Sequence, residues 1–248
     1  MEDKGKMIAP KIVTALLALL MIVGPAVTPA LAHGGDIGIK IDSGKLTVGL
    51  VNEFDEFVPG IRVFGSELEE LVIGPLTLYL TEDPGFDGEP GTFPVPGAVG
   101  FDILAPLGAW TGSGFAFGID ETLTIAHTDS GQQVTTGSGA VSGFNLPVAA
   151  DGSWHKHFTF TLNGSAGAPA DGIYLLELAL KDGEATDSDP FWIVFNKNTE
   201  ESEHEAAVDW VNDHYVPEPG AFAGLGVGLL GLASLRRHSH RIGGRQPR

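Results

Sequence analysis

Trp154-His155-Lys156-His157-Phe158-Thr159-Phe160 places two imidazoles two residues apart in a run of strand-forming side chains. In a strand, the two-residue period sends Trp154, Phe158 and Phe160 to one face and His155, His157 and Thr159 to the other. Neighbours on one face then lie about 6–7 Å apart. Two imidazoles so placed can converge on one cation if a neighbouring strand supplies a third ligand. His127, at the end of a short strand before Thr128-Asp129, is the natural third ligand. Nitrogen and oxygen ligands without sulfur suit zinc best and copper second. The plainer alternative is a pair of solvent-facing histidines beside a core strand.

His33 is the fourth candidate. It follows Ala30-Leu31-Ala32, and cleavage after Ala32 would make it the first residue of the mature chain. Its α-amino and ring nitrogens would then chelate copper or zinc, with Asp36 close behind to supply an oxygen. Calcium is the other candidate ion: the loop DGEATDSDP carries Asp182, Glu184, Asp187 and Asp189. Its spacing does not match an EF-hand, and such loops are more often simply solvated.

Signals for catalysis are missing. The chain contains no G-x-S-x-G elbow, no H-E-x-x-H and no P-loop. An N-terminal histidine with a second histidine is similar to the copper brace of oxidative polysaccharide enzymes, but nothing else in the chain supports that reading. A binding protein is expected rather than an enzyme.

The ends of the chain speak of export. Lys4, Lys6 and Lys11 precede an apolar run (IVTALLALLMIVG) that breaks at Gly24-Pro25 and leads to Ala30-Leu31-Ala32. That is the order of a secretory signal peptide over residues 1–32, with a retained anchor as the alternative. The chain has no cysteine, which removes disulfides, thiolate metal sites and cysteine nucleophiles. Between residues 33 and 216 there are 29 Asp/Glu against six Lys/Arg, a net of −23. A nucleic-acid partner is excluded on sign, because phosphate binding needs clustered cations. An acidic surface favours solubility and attracts cations.

The elements that must position the histidines are short and β-rich. Asp36–Asp42 alternates, with Ile37, Ile39 and Ile41 on one face; Ser43-Gly44 turns the chain and Lys45–Val51 returns. Residues 52–70 read as irregular, 71–81 as one or two strands interrupted by Pro75, and 82–100 as a long loop. Short strands follow at 101–104, 114–119 and 123–126, with a Gly/Ser/Thr-rich loop and a weak strand over 128–140. Residues 153–162 read as one strand, and 172–180 and 191–195 as the strongest ones. Many short strands with Gly turns and no long helix before residue 199 predict an all-β fold, an immunoglobulin-like or jelly-roll-type sandwich over 33–198. Residues 199–215 read as an acidic helix or a solvated stalk. Asp171-Gly172-Ile173-Tyr174 resembles the approach to a late strand in immunoglobulin-like sandwiches, where a tyrosine hydroxyl ties the loop back to the backbone. Plain strand core is the alternative for Tyr174.

Residues 216–248 have three parts: Val216-Pro217-Glu218-Pro219-Gly220, an apolar segment through Leu235, and basic Arg236-Arg237. In this order they resemble the PEP-CTERM sorting signal. The resemblance implies a bacterial exported protein handled by an exosortase-type processing enzyme. It also implies transient membrane attachment through the tail, and a place at the envelope, outer surface or extracellular matrix of a Gram-negative-type cell. The basic end (RRHSHRIGGRQPR) is longer than is usual for the tag. Ala221–Leu235 is fifteen apolar or small residues, short for a bilayer span. Ala32-His33-Gly34-Gly35, His155-Lys156-His157 and the stretch from Asp171 to Asn196 are together similar to a group of PEP-CTERM proteins under a zinc-uptake repressor. That resemblance implies binding or holding zinc at the cell surface. The competing expectation is a structural or adhesive matrix protein that binds polysaccharide or protein partners.

Overall fold

The chain is described here by a computed structural model over residues 35–217. The signal-peptide segment, His33 and the sorting segment from Glu218 onward lie outside the described residues.

Seventeen strands and one helix follow in order. The first seven are β1 (Asp36–Asp42), β2 (Lys45–Val51), β3 (Phe57–Pro59), β4 (Val63–Glu67), β5 (Glu69–Ile73), β6 (Leu76–Thr81) and β7 (Phe86–Gly88). Next come β8 (Ala98–Ile103), β9 (Gly108–Trp110), β10 (Phe115–Phe117), β11 (Thr122–His127), β12 (Gln132–Thr135) and β13 (Val141–Pro147). The chain ends with β14 (Trp154–Lys156), β15 (Thr159–Asn163), β16 (Gly172–Lys181), β17 (Phe191–Lys197) and α1 (Glu201–Tyr215).

The strands make three sheets. The first runs β14-β7-β1-β2-β3 and the third β12-β11-β15-β6-β5. The second runs β10-β9-β16-β17-β4, with β8 also on β16 and β13 on β8. Most pairs are antiparallel; β1 with β7 and β17 with β4 are parallel. The fold is therefore all-β, with a single helix among the described residues. No described helix is long and apolar enough to cross a membrane.

The opening hairpin forms as its sequence dictates. Ser43 and Gly44 both take positive φ, at 51° and 79°, which a two-residue turn between twisted strands requires. β1 and β2 then pair in full register from Asp36↔Val51 to Asp42↔Lys45. Ile37 and Ile39 go into the main core, which also takes Phe86, Phe101, Trp154, Phe158, Phe160, Phe191 and Phe195.

β16 and β17 are buried on both faces, and the reason is α1. Phe191, Ile193 and Phe195 face the main core, while Trp192 and Val194 belong to a second cluster with Ala207, Val208 and Val211 of the helix. That is why the sequence of β17 is an almost unbroken apolar run instead of an alternation. Residues 201–215 thus form a helix packed on the second sheet, with His204, Ala207, Val208 and Val211 buried.

Several segments differ from expectation. Residues 52–70 hold β3, β4 and the start of β5, and 82–100 hold β7, which lies between cis Asp83-Pro84 and cis Val95-Pro96 bonds, and then the start of β8. β9 and β13 come from stretches too short or too Gly-rich to alternate. The 153–162 run is two strands in two different sheets. β14 pairs with β7 in the first, and β15 pairs with β11 and β6 in the third. The chain changes sheets at His157-Phe158. The Tyr174 hydroxyl donates to the Ala170 carbonyl at 2.8 Å, tying the loop to β16.

Candidate metal centre

His155 and His157 stand at that change of sheet. Burial still alternates through it: Trp154, Phe158 and Phe160 are buried, and His155 and His157 are exposed. Phe158 is wedged edge-on among Phe86, Phe101 and Phe144, so its neighbour His157 is held outward at the corner. The two imidazole rings lie 5.1 Å apart, centroid to centroid.

The third group is Asp36, the first residue of β1. One ligand atom from each of Asp36, His155 and His157 lies within 4.8 Å of the other two. The sheet order brings them together. β7 lies between β1 and β14, and Gly38, Asp87 and His155 form one rung across the three strands. Asp36 Oδ1 accepts a hydrogen bond from the Gly85 amide at 3.1 Å, which orients the carboxylate. Asp36 Oδ2 lies 4.0 Å from His155 Nδ1.

Both rings are held through Nδ1 by neighbouring oxygens. His155 Nδ1 is 3.1 Å from Asp87 Oδ1, and His157 Nδ1 is 3.3 Å from the Glu82 carbonyl. A carbonyl only accepts, so His157 donates from Nδ1; a carboxylate facing His155 favours the same tautomer there. Nε2 of each ring then carries the lone pair. A metal-ligating histidine commonly has its second ring nitrogen hydrogen-bonded to a carboxylate or carbonyl, as Nδ1 is in both rings here.

Gly85 forms the floor. A Cβ there would come within 2.6 Å of His157 Cε1 and 2.7 Å of Asp36 Oδ1. Glycine is required because the backbone passes directly beneath two of the three groups.

The other sequence candidates are placed as follows. His127 ends β11, with Nδ1 3.0 Å from Ser130 Oγ and its ring edge-on to Phe158. The group at the corner takes Asp36 and does not include His127. His33 lies outside the described residues. In the loop DGEATDSDP, Asp182 Oδ1 accepts from the amides of Glu184 and Ala185, and Asp189 pairs with Lys45 at 2.7 Å. Among the described residues, its carboxylates do not gather into a group able to hold an ion. Sequence reasoning tied Asp36 to His33 and missed its meeting with the His-x-His pair. It also missed Asp87, which lies in a segment read as loop.

No protein-family model matches the chain, and no curated protein is similar to it in sequence.

Proposed function

We propose that this chain is an exported envelope protein that binds zinc at the cell surface through Asp36, His155 and His157. The observation that carries the reading is the convergence of these three groups, with each imidazole held through Nδ1 by a neighbouring oxygen. Two nitrogens and one carboxylate oxygen suit zinc, with copper second; calcium prefers an all-oxygen set. The site is open to solvent, so a water or a further donor completes the shell. Processing after Ala32 would set His33 three residues ahead of Asp36, a reach of about 10 Å in extended chain, and make its terminal amine such a donor. The chain works as a binder, not an enzyme. Its tail is a PEP-CTERM signal read by an exosortase-type enzyme, with membrane contact only through that tail. The Tyr174–Ala170 tie supports an immunoglobulin-like sandwich as the finer description of the fold.

The test is zinc binding by the full chain, made without tag histidines and held in mild detergent. Roughly one zinc at sub-micromolar affinity, lost in His155→Ala/His157→Ala, supports the reading. Affinity unchanged in that variant removes it.

One observation favours a second reading, a structural or adhesive matrix protein. The outer edge strand β5 exposes Leu71, Val72 and Ile73, and Leu76, the first residue of β6, is exposed as well. An uncovered apolar edge is a surface for association with protein or polysaccharide.

A further inference from the structure

A second convergence of ligands lies where α1 meets the second sheet. Glu67, Glu201 and His204 each offer a ligand atom within 4.8 Å of the others. They come from the end of β4 and the first turn of the helix. His204 is fully buried, Glu67 is partly buried and Glu201 is exposed, so the group is closed below and open to solvent above.

The chemistry of the buried ring sets the problem. His204 Nε2 lies 2.9 Å from the Val194 carbonyl, which only accepts, so Nε2 carries the proton. Nδ1 is thereby the atom turned to Glu67, 3.2 Å from Oε1. Facing a carboxylate, Nδ1 calls for positive charge between the two groups, which either a proton on the ring or a bound cation supplies. Glu67 Oε1 is itself buried and accepts no hydrogen bond among the described residues. Two atoms bound to one tetrahedral zinc at about 2.0–2.1 Å are themselves about 3.3 Å apart, close to the spacing found. Glu201 supplies the third ligand from the solvent side.

We infer that Glu67, Glu201 and His204 form a second binding site for a zinc-class divalent cation, one that fastens the first turn of α1 to β4. One imidazole nitrogen with two carboxylates selects a first-row transition ion over calcium. The Val194 carbonyl plays here the orienting role that Asp87 and Glu82 play at the first site. With one nitrogen ligand instead of two, this site binds more weakly than the corner site.

The experiment starts from full chain carrying His155→Ala/His157→Ala, so that the corner site is removed. Zinc and cobalt are titrated into this parent and into its Glu201→Gln and Glu67→Gln derivatives. Both changes are at residues with exposed surface, which keeps the test independent of whether His204→Gln folds. The expected result is one saturable equivalent in the parent, with affinity at least tenfold lower in either derivative. Amide exchange over 201–207 should slow on zinc addition in the parent alone. Affinity equal within twofold in parent and derivatives, or no zinc taken up by a folded parent, overturns the inference. Wild-type chain separates this from the corner site: one zinc lost with Glu201→Gln and kept with His155→Ala/His157→Ala would sink the corner site and leave this one standing.

Discussion

His155 sits directly across the β14–β7 pair from Asp87, and its Nδ1 lies 3.1 Å from the Asp87 carboxylate. Asp87 faces the ring at Nδ1 and, among the described residues, belongs to no converging group itself, so its effect on metal runs through ring orientation and basicity. Asp87→Asn keeps the shape and weakens the partner. Zinc affinity should fall about 10- to 100-fold, while thermal stability of the metal-free chain shifts little. An unchanged affinity would mean that the pair is only a surface contact.

Gly85→Ala tests the floor of the site. The new methyl meets His157 Cε1 and Asp36 Oδ1 at distances that real side chains do not show, so one of the two groups must move. The expected outcome is a loss of zinc affinity of tenfold or more with the β-rich far-ultraviolet spectrum retained. Binding equal to wild type would show that the three groups do not act together.

Tyr174 should report on alkaline stability. Burial first, and then the negative charges of Glu121 and Asp171, push its hydroxyl up to about 12. The folded value lies above the unfolded value near 10, so the contribution is fully present below about pH 10 and is lost between about 10 and 12. Tyr174→Phe removes the bond to Ala170 and should cost about 1 kcal/mol at neutral pH. It should also flatten the fall in stability over that alkaline window, read by urea denaturation.

Asp102 should act at the acid end. Burial works to raise its pKa, but hydrogen bonds from Lys181, Ser142 and the Gly143 amide outweigh it and leave the group lowered. The stability this gives is present above the unfolded carboxylate value, near 3.9, and is lost as pH falls through the lower folded value. In Asp102→Asn, the acid limb of a stability profile should be shallower than in wild type. An identical limb would show that other carboxylates set it.

Val208→Asp should separate the helix from the sheets. Val208 is fully buried between α1 and β17, and an unpaired charge there costs on the order of 3 kcal/mol or more. Amide exchange should accelerate across 201–215 while β1, β2 and β15 stay protected. Uniform acceleration would mean that the helix is integral to the whole core.

What could be read in the chain alone were the features whose cause is local. Ser43-Gly44 makes a turn wherever it occurs between two alternating runs, and β1 and β2 follow from it. The apolar lengths of β16 and β17 announce burial on both sides. His155 and His157 share an exposed side because Trp154, Phe158 and Phe160 all prefer the interior. The tertiary structure alone decided what depends on partners distant in sequence. Burial keeps its two-residue period straight through His157-Phe158, so nothing in the pattern reveals that the chain leaves one sheet for another there. Asp36 meets the histidines only because β7, a three-residue strand in a Gly- and Pro-rich segment, slots between β1 and β14. His204 and Glu67 meet only because α1 folds back over β17 and β4. Strand order and helix docking are settled by how the apolar faces fit together in space, and a one-dimensional pattern carries those faces without saying which will touch.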